Sequence, residues 1–127
     1  MLIRLGERHL SALLSTLPPA LYPLRAKLFR GFADPSRLAI LEALCTSSQS
    51  VGDLATITGL SQPNTSNHLA CLLECSLVTR EQRGKFAVYS LADDRIATLL
   101  ALANEVLSDH TAQVAACARY GEGSTAS

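Results

Sequence analysis

Cys71 and Cys75 stand four residues apart in the run Asn67-His68-Leu69-Ala70-Cys71-Leu72-Leu73-Glu74-Cys75. On a helix at about 100° per residue, positions i and i+4 differ by about 40° and one turn of rise, so both thiols share a face. Two thiolates so placed are a ligand pair for a soft, thiophilic cation. A disulfide between them is the poorer reading, because Cα atoms about 6 Å apart on one helix carry nearly parallel Cβ vectors. With Asn64 at zero, Leu69, Leu72 and Leu73 fall at about 140°, 80° and 180°, and the thiols at about 340° and 20°. The leucines are therefore expected to face the core and the thiols to stay clear of it. Asn64, Asn67 and His68 lie on the thiol side, nearer the helix start. Of the other cysteines, Cys45 reads as a small buried hydrophobe and Cys117 lies near the C-terminal end.

The helix that carries the pair belongs to a recognisable run of elements. Leu2, Leu5, Leu10, Leu13 and Leu14 give residues 2–17 a loose helical period, stopped at Pro18-Pro19. A second helix is expected from about Leu21 to Ala33, and Asp34-Pro35 then makes an N-cap followed by proline for a helix over Ser36 to Cys45. Thr46 to Ser50 reads as a polar linker. A short helix over Val51 to Thr58 ends at Gly59, and Ser61 caps the next, with Pro63 in its first turn, running to about Glu74 or Cys75. Two short helices around a Gly- and Ser-containing turn, the second polar at its start, form a helix-turn-helix. Leu77 to Arg80 and Ala87 to Leu91 read as strands joined by Glu81-Gln82-Arg83-Gly84-Lys85, which makes the wing. A last helix begins at Asp93 or Asp94. Its apolar stripe Ile96, Leu99, Leu100, Ala103, Val106 and Leu107 suits intradomain core or a dimer seam equally.

Composition narrows the function classes. A chain of 127 residues, 48% of them hydrophobic, is long enough for one domain with a core. The expected division is an N-terminal helical extension (1–20), a winged helix-turn-helix for DNA binding and dimerisation (21–110), and a helix end with a flexible tail (111–127). No stretch has the length and apolarity of a membrane span, and the N-terminus reads as helix rather than signal peptide, so a cytoplasmic location is expected. There the thiols point to metal or redox chemistry rather than structural disulfides. The formal net charge is zero, but Arg80, Arg83 and Lys85 cluster in the wing, and such a local group can dock DNA. No phosphate-binding glycine loop or nucleophile motif marks an enzyme, and no small-molecule substrate is expected. Gln62, Asn64, Thr65, Asn67 and His68 are the candidate groove and phosphate contacts, with Arg83 and Lys85 from the wing.

Ala33-Asp34-Pro35-Ser36-Arg37-Leu38, the helix-turn-helix, Ser66-Asn67-His68-Leu69 and the wing with Gly84-Lys85 and Tyr89-Ser90-Leu91 together resemble the ArsR/SmtB family of metal-responsive repressors, over roughly residues 22–110. The resemblance implies a homodimeric winged helix, built on its first and last helices, that binds operator DNA and releases it when an inducer binds. Two of the family's metal sites are broken in this sequence. On the last helix Asp93 suits an acidic ligand, but Arg95 and Val106 stand where histidines are needed. Before the helix-turn-helix, Ser50-Val51-Gly52 replaces a Cys-Val-Cys motif. A third pattern, that of cadmium/lead sensors in the family, has two recognition-helix cysteines and a third in the C-terminal tail of the other protomer. Cys71, Cys75 and Cys117 match it. The implied inducer is Cd(II) or Pb(II), with Hg(II), As(III) or thiol oxidation as alternatives on the same fold.

Overall fold

The computed structural model describes residues 18–116. After a 3-10 turn at Pro19–Leu21 come α1 (Tyr22–Arg30), α2 (Pro35–Leu44), β1 (Gln49–Ser50), α3 (Val51–Thr58), α4 (Gln62–Glu74), β2 (Val78–Arg83), β3 (Phe86–Leu91) and α5 (Arg95–Ala115). This is a mainly helical winged helix-turn-helix with a small antiparallel sheet. The helix expected over residues 2–17 and the C-terminal tail lie outside the described residues.

Side-chain caps account for the starts of α2, α3 and α4. Asp34, in extended conformation, accepts from the Arg37 amide at 3.0 Å and starts α2, with Pro35 at the first helical position. Ser50 and Asp53 form a reciprocal capping box at α3, and Gly59 ends that helix at φ +80°. Ser61 Oγ accepts from the Asn64 amide at 3.2 Å to start α4.

The end of α4 is less usual. The Leu77 amide donates to the Leu72 carbonyl and the Ser76 amide to the Leu73 carbonyl, both at 3.0 Å, the paired bonds of a Schellman motif. The position that needs a left-handed backbone is Ser76, at φ +61°, where glycine is the usual occupant. Ser76→Gly is therefore expected to stabilise the domain by about 0.5–1 kcal/mol, the relief of left-handed strain less the added entropy of the unfolded chain. A thermal melt compared with wild type checks this; an unchanged or lower midpoint would contradict it.

The sheet has the order β1-β3-β2. The expected polar linker supplies β1, which pairs Gln49 with Tyr89 and Ser50 with Val88. Two residues are too few to show a strand period, but they cover an edge of β3 that would otherwise be unpaired. The wing strands run further than their sequence suggested. Arg83 pairs with Phe86, leaving Gly84-Lys85 as a two-residue turn with φ +61° at Gly84. Thr79 to Arg83 are all exposed, so this strand carries charge without an apolar face to announce it.

One core joins these elements. Ile40, Leu41 and Leu44 of α2 meet Leu54 of α3, Leu69 and Leu72 of α4, Leu77, Val78 and Tyr89 around the sheet, and Ile96 and Leu100 of α5. The α1–α2 corner closes over the end of α4. Arg37 fastens that corner by donating from Nε to the Gly31 carbonyl at 3.0 Å and from Nη2 to the Arg30 carbonyl at 2.8 Å. The Arg30 carbonyl also accepts from the Ala33 amide at 3.1 Å, so Arg37 adds a second bond to the turn that ends α1.

Candidate functional site

On α4 the buried arc runs from Thr65 through Leu69 and Leu72 to Cys75, and the outer face carries Gln62, Asn64, Ser66, Asn67, Ala70 and Glu74. Two expectations are corrected here. Thr65 is 0% exposed and its Oγ1 donates to the Ser61 carbonyl at 2.8 Å, so its hydroxyl is spent inside the domain and cannot reach DNA. Cys75 does not stay clear of the core: it is 9% exposed and belongs to the core cluster. Leu73, expected in the core, is half-buried.

The thiol pair lies on the shoulder of α4 that faces the α1–α2 corner. Cys71 is half-buried, and both cysteines are free thiols. Gly31 is buried against them: a Cβ at that position would overlap Leu77 Cδ1 and lie 3.3 Å from Cys75 Cβ. Beside Cys75 a groove opens between the α4 end and Leu21, Leu24, Lys27 and Leu28. Burial pushes the Cys75 thiol above its usual range. The charge and hydrogen bond of the neighbouring Cys71 thiol push the same way, while the cations Lys27 and Arg37 pull back. Two soft donors one helical turn apart fit a thiophilic cation. Among the described residues no cluster of three or more Cys, His, Asp or Glu side chains forms, so a third donor must come from elsewhere. Cys117, named from the sequence for that role, lies outside the described residues.

Cys45 also departs from expectation. It is exposed at the end of α2, with Sγ donating to the Leu41 carbonyl at 3.4 Å, because the helix ends before carrying it under the sheet. At the start of the last helix Asp93, which the sequence offered as an acidic ligand, is engaged by Arg95. Arg95 Nη2 pairs with Asp93 Oδ2 at 2.6 Å, and this hydrogen-bonded pairing lowers the Asp93 carboxyl to about 2.

The remaining groove candidates divide by exposure. Gln62, Asn64 and Asn67 are exposed near the start of α4. His68 is half-buried, with Nδ1 3.8 Å from Asp34 Oδ2, and so faces the α2 cap rather than outward. Ser66, on the outer face beside Asn67, was not singled out in the sequence; the burial of its neighbour Thr65 reveals it. In the wing Arg83 and Lys85 are exposed, Arg83 with its Nε on Glu81 Oε1 at 2.6 Å.

The model of bacterial regulatory proteins of the arsR family matches residues 34–80, from the cap of α2 into β2. A "probable mercury resistance operon repressor" of Streptomyces lividans is 37% identical over 99 residues, covering 77% of this chain and 79% of that protein. The chain belongs to the arsR family. Another arsR-family relative is the HTH-type transcriptional regulator CmtR of Mycobacterium tuberculosis, 40% identical over 77% of this chain and 84% of its own length. The solution structure of the cadmium metal-sensor CmtR from that organism superposes with a TM-score of 0.54 at 43% identity, covering 60% of this chain and 79% of that one. A homodimeric winged helix-turn-helix DNA-binding domain of Mycobacterium bovis superposes with a TM-score of 0.68 at 28% identity, covering 76% of this chain and 93% of that domain. Among the described residues no helix is long and apolar enough to cross a membrane.

Proposed function

We propose that this arsR-family protein is a homodimeric repressor that holds promoter DNA with the outer face of α4 and the wing, and releases it when Cys71 and Cys75 take up a soft metal cation. The observation that carries the reading is the pair of free thiols one turn apart at the end of α4, one of them buried under the α1–α2 corner. Asn64 and Asn67, with Ser66 beside them, are the groove contacts, Gln62 at the first turn of α4 reaches the phosphate, and Arg83 and Lys85 hold backbone from the wing. Dimerisation uses the apolar side chains left exposed on two helices, among them Val106 (60%) and Leu107 (44%) on α5 and Tyr22 and Phe29 (each 57%) on α1. A relative that is a homodimeric winged helix-turn-helix DNA-binding domain supports dimerisation itself.

A bound cation would link the two thiolates through metal–sulfur bonds, with Cys117 of the partner subunit as the third donor. Cys75 is seated under Gly31, so the sulfurs cannot change direction without moving either the last turn of α4 or the corner that leads into α1. The first shift would tilt the helix that meets DNA; the second would reach the helix that contributes to the dimer face. Both half-sites are then held at a spacing the operator does not match. Cd(II) or Pb(II) is the proposed inducer, and Hg(II) and As(III) suit the same donors. The relatives name mercury in one case and cadmium in another.

Fluorescence anisotropy of a labelled duplex from the protein's own promoter region tests the reading. Binding without metal and release by one or more of these four ions is expected. A complex indifferent to all four would contradict it.

Metal capture is expected to depend on pH with a definite sign. The raised Cys75 thiol keeps its proton at neutral pH, so binding must expel it. Apparent affinity should therefore fall as the solution is acidified, by up to about tenfold per pH unit for each proton released. Chelator-competition titrations from pH 6 to pH 8 measure the slope; a flat profile would mean that no thiol proton is displaced.

A further inference from the structure

Phe86, at 68%, is the most exposed large apolar side chain among the described residues, and no packing in the domain accounts for its identity. It opens β3 immediately after the Gly84-Lys85 turn. Pairing between β1 and β3 stops at Ser50 and Val88, so at Phe86 the edge of β3 facing α3 is uncovered by β1. What remains is a groove of about 260 Å³ between the helix-turn-helix and the wing, bordered by Ser50, Gly52, Gln62, Lys85 and Phe86. Gln62 belongs to the first turn of α4, and Lys85 to the wing tip. The groove thus joins the two elements assigned to DNA.

Duplex geometry says what must occupy it. With α4 in the major groove and the wing over the flanking minor groove, the strand dividing those grooves has to pass between the two elements. A sugar-phosphate backbone offers both chemistries that the groove presents. Its phosphate oxygens accept from the Gln62 amide and the Lys85 ammonium, and its deoxyribose has an apolar face the size of a phenyl ring. At the start of α3 the Ser50 and Asp53 amides are already engaged. Ser50 Oγ accepts from the Asp53 amide at 3.1 Å, and the Asp53 carboxylate lies 3.4 Å from the Ser50 amide, so that helix end is already capped.

We propose that Phe86 is a DNA-contact residue whose ring packs on the deoxyribose of the strand crossing from α4 to the wing, while Gln62 and Lys85 hold the adjacent phosphate. The inference rests on the DNA-binding reading above. It goes beyond wing charge, which explains Lys85 but gives no role to an exposed ring beside it.

The full-length protein is titrated by anisotropy onto two duplexes, its own promoter region and a scrambled sequence of equal length, at several salt concentrations. Phe86→Ala is expected to weaken both about tenfold, since a buried phenyl surface is lost, with the slope of log affinity against log salt unchanged. Lys85→Ala is expected to weaken both and reduce that slope by about 0.9, the signature of one lost phosphate contact. Phe86→Leu, which keeps an apolar contact, should recover most of the loss and separate contact from misfolding. Wild-type affinity in Phe86→Ala, a changed salt slope in that variant, or a loss confined to the promoter duplex would each overturn the proposal. A wild-type protein that binds neither duplex would overturn the DNA-binding reading along with it.

Discussion

Cys75→Ala is expected to leave the protein bound to its promoter duplex at metal concentrations that release the wild type. The coupling between an effector and a ligand site is typically about 1–3 kcal/mol, so metal should weaken the wild-type complex by roughly 5- to 150-fold, and the variant by less than about twofold. Alanine is the appropriate replacement because Cys75 is buried against Gly31 and Leu77. A hydroxyl there would need a partner that the surrounding leucines do not offer. Cys71→Ala should behave in the same way, since one sulfur cannot form the pair. Cys45→Ser is the internal control: Cys45 is exposed at the far end of α2, and its loss should leave release intact. Retained release in Cys75→Ala would move the sensor elsewhere.

Leu72→Ala is expected to destabilise the domain by about 2–5 kcal/mol, the range for emptying a fully buried leucine site. Leu72 is 0% exposed and does two jobs. Its side chain fills the space between α4 and the rest of the core, and its carbonyl accepts the Leu77 amide that turns the chain from α4 toward the wing. Only the first is lost on truncation, so the wing should keep its register while the cavity lowers global stability. For a domain of this size, a loss of that order lowers the melting midpoint by about ten degrees or more. Calorimetry or circular dichroism reads it directly. A shift under about two degrees would mean that α4 is not anchored through this residue. Set beside Ser76→Gly, which acts one turn further on with the opposite sign, it separates packing from backbone strain in the same helix end.

Much of this architecture was legible because short-range signals agree with one another. Asp34-Pro35 and Ser61 each mark a helix start through a bond to a nearby amide, and both caps form; the Ser50–Asp53 box, unread in the polar linker, starts α3 in the same way. β1 was hidden for the opposite reason: its pairing with Tyr89 and Val88 is entirely long-range. On α4 the leucines alone placed the core about 40° too far round, because the burial of Thr65 and Cys75 is decided by what folds over them. Ser61 takes the Thr65 hydroxyl, and the α1–α2 corner covers Cys75 at the helix end. That second contact depends on Gly31 and on Arg37 holding two carbonyls, neither of which has a periodic signature. Its consequence is functional. The thiols do not continue the exposed outer face of α4; they sit between the end of α4 and the α1–α2 corner.

Ultraviolet sulfur-to-metal charge-transfer absorption tests the sensor assignment most directly, because it reports metal bonded to sulfur whether or not DNA is present. Titrating Cd(II), Pb(II) or Hg(II) into the full-length protein should raise a band that saturates at a fixed metal-to-protein ratio. That band should weaken in Cys71→Ala and in Cys75→Ala, lose the contribution of one further sulfur in Cys117→Ser, and persist unchanged in Cys45→Ser. Full wild-type intensity in both Cys71→Ala and Cys75→Ala would contradict the assignment of the recognition-helix thiols as the metal site.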